Sequence, residues 1–236
     1  MATVCELYEQ AGHLAEQGIH VVSTAEKTGS QALERAQPDI PMGPGRVQSR
    51  EHEYIRHGTT CLIANLEIWC GWVVAPTLSA TRTESAFAAQ IAPTVATDPA
   101  VGWVFLVDNL NTHQSESLVL YVAQACGLTA ELGEKGKRGI LKSQASRAAF
   151  LAEPEHRMRF VYTPKPTSWL NQIERWFGLL VRKLLRRSSF RSVEDLNARI
   201  IAFINYFNRT MAKPIRWLYS VPPKPPDELG VGGKSG

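Results

Sequence analysis

The chain has 236 residues, of which 44% are hydrophobic and 20% are charged, as is typical of a globular domain. No apolar run reaches the roughly 18 residues that a membrane helix needs, and the polar first residues do not resemble a secretory signal. The four cysteines lack the spacing of a zinc site or a disulfide framework. We therefore expect a cytoplasmic protein with no membrane partner.

The formal net charge is only +4, but the charges are unevenly distributed along the chain. Residues 1–134 hold 6 lysines and arginines against 15 acidic residues, whereas residues 135–219 hold 18 against 5. A basic half of this size favours a polyanionic partner, most simply nucleic acid. A solvated basic surface would give the same composition, so charge alone leaves both interpretations open.

Hydrophobic periodicity predicts helices and strands that alternate along most of the chain. A helix over 5–18 comes first, followed by a short buried strand over His20–Thr24 and a Gly- and Pro-rich loop over 28–50. The next predicted elements are strands over Thr59–Ala64 and Glu67–Val74, a helix over Ser85–Ala96, a buried strand over Val101–Val107 and a helix over Ser115–Cys126.

Helices dominate the last third of the chain. Residues 131–143 carry three glycines, three lysines and an arginine and are expected to form a mobile loop. The next predicted elements are a short helix over 144–152, a strand over Arg159–Thr163, a long helix from Ser168 to about Arg187, and a last helix that opens with a capping box at Ser192. One α/β domain is thus expected over 1–219, followed by a disordered Pro- and Gly-rich tail over 220–236.

Two carboxylates lie where they could carry chemistry. Asp108 directly follows a buried strand, where a rigid scaffold would hold it at the edge of a cleft; an Asx turn is the plainer alternative. Glu174 borders the apolar face of the long helix, with Asn171 and Gly178 one turn away on either side. An ordinary exposed glutamate would fit that position equally well. The predicted apolar face consists of Trp169, Ile173, Trp176, Phe177, Leu180 and Leu184.

The same helix carries a basic cluster: Arg175, Arg182, Lys183, Arg186 and Arg187. Helical spacing predicts a stripe of Arg175, Arg182 and Arg186. The cluster could bind backbone phosphates near Glu174, or it could be a solubilising face at the C-terminal end of the helix dipole. His113 could contact a phosphate or orient a water, or it could be a satisfied loop histidine.

Three segments together resemble the bacterial insertion-sequence branch of the mariner-like DDE transposases. They are Asp108–His113 (DNLNTH), residues 162–177 (YTPKPTSWLNQIERWF) and residues 192–214, which begin SVEDL and end RTMAKP. The similarity runs from about residue 18 to 219. The resemblance implies a ribonuclease-H-like fold, in which helices flank a mixed five-stranded sheet and extra helices follow at the C-terminus.

By this resemblance, Asp108 and Glu174 match the second and third carboxylates of the family's catalytic triad, and each would bind metal. The first aspartate maps onto Ala25, within the string STAEKTG, and alanine cannot bind metal. Glu26 is not an obvious replacement, because consecutive strand side chains face opposite sides of a sheet. The chain is therefore expected to be catalytically inactive, through either deliberate mutation or natural decay.

The resemblance also implies a reaction and its partners. An active relative would cut DNA at transposon ends and join the freed 3′-hydroxyls to target DNA, using two Mg²⁺ ions for which Mn²⁺ can substitute. It would act as a homodimer on DNA, near the bacterial nucleoid, with a separate helix-turn-helix segment for end recognition. The expected DNA contacts are Arg175, Arg182, Lys183, Arg186, Arg187, Lys165, His113 and Asn171.

A second interpretation belongs to a different class: a non-catalytic DNA-binding or dimerisation protein derived from a transposase. It would use the same fold and basic surface, and the residue at position 25 separates the two. A metal phosphatase is disfavoured by the basic second half and lacks a supporting motif.

Overall fold

The computed structural model describes residues 2–36, 43–45, 53–80, 83–164, 168–186 and 188–218. The tail over 220–236 that was predicted to be disordered lies outside this part of the chain, as do Lys165 and Arg187. No helix in the described ranges combines the length and the apolar character that crossing a membrane requires.

A five-stranded mixed sheet with strand order β3-β2-β1-β4-β5 forms the centre of the molecule. The strands are β1 (Ile19–Arg35), β2 (Tyr54–Glu67), β3 (Val73–Ser79), β4 (Gly102–Val107) and β5 (Met158–Tyr162). The first three strands pair antiparallel, whereas β4 pairs parallel with both β1 and β5. The mixed five-stranded sheet expected from the resemblance is confirmed.

Helices cover both faces of this sheet. Six α-helices lie in the described residues: α1 (Ala2–Glu16), α2 (Glu84–Ala96), α3 (Glu116–Ala125), α4 (Gln144–Leu151), α5 (Gln172–Leu180) and α6 (Val193–Thr210). Alternate residues of β1 face the two layers. Val22 packs in the core with α2 and α3, whereas Val21 packs with α1 and Ala25 packs with α5 and α6.

The first strand is longer than its sequence predicts. A loop was expected from residue 28, but β1 continues to Arg35 and forms a two-stranded ribbon with the first half of β2. Residues 54–59 of β2 are exposed. In the β1 half of the ribbon the buried residues are Ser30 and Ala32, which are small, so the ribbon lacks the strong alternating apolar pattern by which a strand is recognised.

The predicted long helix is divided into three segments. A 3₁₀ turn over Ser168–Leu170 precedes α5, and a π-helical turn over Val181–Leu185 follows it. The N–H of Arg186 donates to the carbonyl of Val181 at 2.9 Å, one residue further back than in an α-helix. The predicted arginine stripe is therefore interrupted before Arg186.

The Lys- and Gly-rich segment 131–143, which was predicted to be a mobile loop, is folded back on itself. Glu134 and Arg138 form a β-bridge, and Leu141 is buried in the core beneath α2 and α3. Lys135 forms an ion pair with Glu84, 3.4 Å away. This partner is distant in sequence, so the composition of the segment could not reveal it.

Candidate active site

Asp108 directly follows the carboxyl end of β4, which pairs with the central strand β1. The parallel pairing of β1 with β4 ends at Ser23 and Leu106, and Ala25 and Asp108 each lie two residues further along the chain. Both positions continue the face on which Val21 and Leu106 pack, because strand side chains alternate. Asp108 thus lies at the carboxyl ends of the parallel strands, with its side chain 39% exposed.

Two groups orient the Asp108 carboxylate from behind. The N–H of Leu110 donates to Oδ1 at 3.1 Å, which closes an Asx turn, and Nδ1 of His113 lies 2.7 Å from the same oxygen. His113 is fully buried, packs against Phe87 in a tilted arrangement with centroids 4.2 Å apart, and has Nε2 3.9 Å from the Glu26 carboxylate. His113 was predicted to contact DNA; the structure places its ring in the interior, where it holds Asp108.

Glu174 lies in the first turn of α5, close enough to Asp108 for the two charges to interact. Partial burial raises the pKa of Glu174, and the negative charge of Asp108 raises it further, while Lys27 opposes the shift. The structure therefore brings Asp108 and Glu174, which lie on different elements, close enough for their charges to interact.

Asn171 connects the start of α5 to the central strand. Its side-chain N–H donates to the Thr24 carbonyl at 3.0 Å, and its carbonyl oxygen accepts from the Ser23 hydroxyl. The Ser23 oxygen in turn accepts from the N–H of Ile173 at 2.9 Å. Asn171 was also predicted to contact DNA, but its side chain is buried, and its hydrogen bonds join the start of α5, which carries Glu174, to β1.

Ala25 fills the place where the resemblance puts the first aspartate. It is 3% exposed, pairs with Ala64 of β2 and packs in the same cluster as Ile173. Glu26 points to the opposite layer, towards His113, so it does not supply the missing carboxylate on the Ala25 face.

The side chains around Asp108 and Glu174 fit only part of the metal centre that the resemblance implies. Among the residues that the structure describes, no group of three His, Cys, Asp or Glu side chains is arranged to hold a metal ion. Asp108 and Glu174 are hard oxygen donors that suit one divalent cation such as Mg²⁺. They do not fit a two-metal centre, because no third carboxylate is placed to bridge two ions.

A basic groove of about 700 Å³ opens beside Glu174, between α5 and the segment that follows α6. Its cationic lining residues are Arg175, Arg182, Lys213 and Arg216. Gly178 leaves space for one of them, since Nη1 of Arg182 lies 3.4 Å from the position that a Cβ would occupy. Lys183 and Arg186 are not among the residues that line this groove.

The sequence did not identify Lys213 and Arg216 as site residues. They belong to an irregular segment that is held against the sheet by a hydrogen bond from Ile215 N–H to the Ile68 carbonyl, 3.0 Å long. Their basic character was the available signal, but no periodicity indicated that the segment returns to α5.

Residues 27–197 match the family model described as DDE superfamily endonuclease. The chain belongs to this family. The matched range begins two residues after Ala25, so it does not include the position onto which the resemblance maps the first aspartate.

Two solved structures resemble this DDE endonuclease over 86% of its length. They are the Mos1 mariner paired-end complex with Mn (TM-score 0.50, 13% identity) and the Mos1 transposase paired-end complex with the left transposon end (TM-score 0.51, 12% identity). At this identity the likeness concerns the fold, which is ribonuclease-H-like. The chain spans 53% of each Mos1 chain. No curated protein matches the chain.

Proposed function

We propose that the chain is the catalytic domain of a mariner-like DNA transposase that does not cleave DNA as it stands, because its first metal-binding carboxylate is replaced by Ala25. The observation that carries the proposal is that the charges of Asp108, which follows β4, and Glu174 of α5 interact, while Ala25 lies on β1, the strand that pairs with β4. The family membership and the fold support the same conclusion.

With an aspartate at position 25, three carboxylates would converge on one site. Divalent ions bound there would stabilise the attacking and leaving oxygens of an in-line phosphoryl transfer. Mg²⁺ suits these hard donors, and Mn²⁺ is present in one of the Mos1 complexes. In this assignment Asp108 and Glu174 are metal ligands, His113 and Asn171 position them, and Arg175 and Arg182 bind phosphates.

Inactivity follows from electrostatics. Asp108 and Glu174 carry at most two negative charges, and two divalent cations a few ångströms apart repel each other strongly unless a shared carboxylate lies between them. Losing an ion that stabilises transition-state charge costs several kcal/mol, and each ~1.4 kcal/mol corresponds to a factor of ten in rate. DNA binding is unaffected, because the basic groove does not include Ala25.

The decisive experiment compares the chain as written with Ala25→Asp and with Ala25→Asn, which has the same shape but no charge. Cleavage is measured on a transposon-end duplex, with the end-recognition segment supplied in trans, and by nicking of supercoiled DNA, in Mg²⁺ and in Mn²⁺. We expect Ala25→Asp to cut at least about a thousandfold faster than the other two. Equal cleavage by the chain as written would show that Ala25 does not mark the missing ligand.

The Mos1 structures are paired-end complexes, so we also propose a dimer of this chain on DNA, in the bacterial cytoplasm. The non-catalytic alternative makes a different prediction from the same experiment. If Ala25→Asp binds DNA normally and cuts neither substrate, the chain is a transposase-derived binding protein.

A further inference from the structure

Three aromatic rings form a column that ends near Glu174. Tyr8 of α1 stacks on Trp217 with ring centroids 4.7 Å apart, and Trp217 lies parallel to Trp169 at 6.2 Å, with 7° between their planes. The inner end is fixed, since Tyr8 is buried and its hydroxyl donates to the Leu170 carbonyl at 2.6 Å. The outer end is accessible, because Trp169 remains 48% exposed.

A second groove, of about 380 Å³, joins this column to the candidate active site. Trp169, Trp217, Arg175, Arg216 and Glu174 are among its lining residues. We call it the stacking groove. It presents aromatic surface and two guanidinium groups within one small volume, and the carboxylate assigned to catalysis borders it.

A purely structural role, in which the rings hold the segment after α6 against α1, explains only the inner part of the column. The contact between Tyr8 and Trp217 already joins that segment to α1. A purely structural ring at the outer end would be expected to bury its surface, whereas half of Trp169 faces solvent beside Arg175 and Arg216. The arrangement therefore suits a flat ligand that carries negative charge.

An unpaired nucleotide has this chemistry. Every base offers a face for stacking on an aromatic ring, and its flanking phosphates attract arginine. Bases within a duplex already stack on one another and would have to be extruded first. We propose that the stacking groove binds an unpaired base of single-stranded DNA next to the phosphate that is handled at Asp108 and Glu174. This inference rests on the proposed function, because it takes DNA as the substrate.

The test uses the full chain as written, without metal. Binding of a short oligothymidylate and of an abasic oligonucleotide of equal length is measured by fluorescence anisotropy. We expect the thymidylate to bind more tightly, and Trp169→Ala to weaken it by about tenfold while leaving the abasic strand unchanged. Arg175→Ala combined with Arg216→Ala should weaken both strands.

Three further variants control for loss of structure, two at Trp169 and one at Trp72. Trp169→Phe keeps a ring and should retain most of the preference for thymidylate, whereas Trp169→Leu keeps apolar packing and should lose it. Trp72→Ala is the matched control, since Trp72 is 53% exposed and lines neither of the two grooves. Equal binding of both strands by the unchanged protein would overturn the proposal, and so would retention of the preference in Trp169→Leu.

The outcome is separable from that of the cleavage experiment. If Ala25→Asp does not cut DNA but base-dependent binding is observed, the catalytic proposal fails and the stacking groove stands. If Ala25→Asp cuts DNA and binding shows no base dependence, only the stacking groove fails.

Discussion

His20 lies between two carboxylates at the start of β1. Its Nδ1 is hydrogen-bonded to the Glu67 carboxylate, its Nε2 lies 3.7 Å from Asp98, and its ring stacks on Trp103. The hydrogen bond to Glu67 raises the pKa of His20 above its ordinary value, although burial opposes the shift. One imidazole thereby joins the start of β1 to the end of β2 and to the loop before β4.

We expect Glu67→Gln to destabilise the protein more at about pH 6 than at about pH 9. Since the pKa of His20 is raised in the folded state, its contribution is fully present below its unfolded value and is lost as the pH rises through the folded value. Urea unfolding across this range measures the difference in unfolding free energy between the variant and the unchanged protein.

The exposed pair His13 and Glu16, 3.6 Å apart on α1, provides the control. Glu16→Gln should change stability little at any pH, because solvent screens such pairs. A Glu67→Gln effect that is constant with pH, or that grows as the pH rises, would contradict the assignment of the His20 charge.

The two candidate carboxylates were predicted from the sequence, but the residues that hold them were not. Asp108 was predicted from its place after a buried strand, and the resemblance paired it with Glu174. His113 and Asn171 were assigned to DNA because they are polar and close to the motifs, and only the packing shows that both are buried. Asn171 sits at the N-cap of α5, but its side chain bonds to β1, a contact that local sequence cannot specify.

The turn between β2 and β3 receives the segment that follows α6. Gly71 has a φ of +75°, and a Cβ on it would lie 2.1 Å from the Lys213 carbonyl oxygen. Nearby, the Asn208 side chain of α6 bonds both the N–H and the carbonyl of Val73, each at 2.9 Å. This close approach positions the basic residues that complete the groove beside Glu174.

We expect Gly71→Ala to destabilise the fold by roughly 2–4 kcal/mol, because left-handed backbone strain and a steric clash add together. Gly136→Ala is the matched control: its φ is +78°, but nothing lies within 4 Å of the added Cβ, so it should cost only about 1 kcal/mol. Chemical denaturation measures both. Equal losses in the two variants would show that the close approach of Lys213 is unimportant.

Elements with a buried face were predicted closely. The bounds of α2, β4 and α3 differ by at most one residue at either end from those that periodicity indicated. The β1–β2 ribbon and the π-helical turn after α5 were missed. The buried residues in the β1 half of the ribbon, Ser30 and Ala32, are too small to give a strong apolar alternation. A π turn differs from an α-helix by a single hydrogen-bond shift that composition does not encode.

At the scale of the whole molecule, the basic residues of the predicted cluster fall into two groups. Arg175 and Arg182 line the groove beside Glu174, whereas Lys183 and Arg186 are exposed but do not line it. Arg182 and Lys183 are consecutive residues within the π-helical turn, so their side chains point in different directions around the helix axis. The same turn interrupts the row that Arg175 and Arg182 begin before it reaches Arg186.

We expect the double substitution of Arg175 and Arg182 by alanine to flatten the log–log salt dependence of duplex binding by about two units, one for each phosphate that an arginine no longer neutralises. The matched double substitution of Lys183 and Arg186 should change the slope by less. Titrations of DNA at several salt concentrations measure both slopes. A larger change for the second pair would place the duplex on the opposite side of α5.

The central position of β1 has a consequence for how the protein forms during synthesis. Its antiparallel neighbour β2 follows closely in the chain, but its other edge must wait for β4, which lies beyond α2. A nascent chain that ends before Gly102 therefore exposes an open strand edge, a hazard for aggregation. Glu174 emerges later still, so Asp108 and Glu174 cannot meet until nearly the whole sheet has closed. A partly synthesised chain thus lacks the pair of carboxylates that we propose as metal ligands.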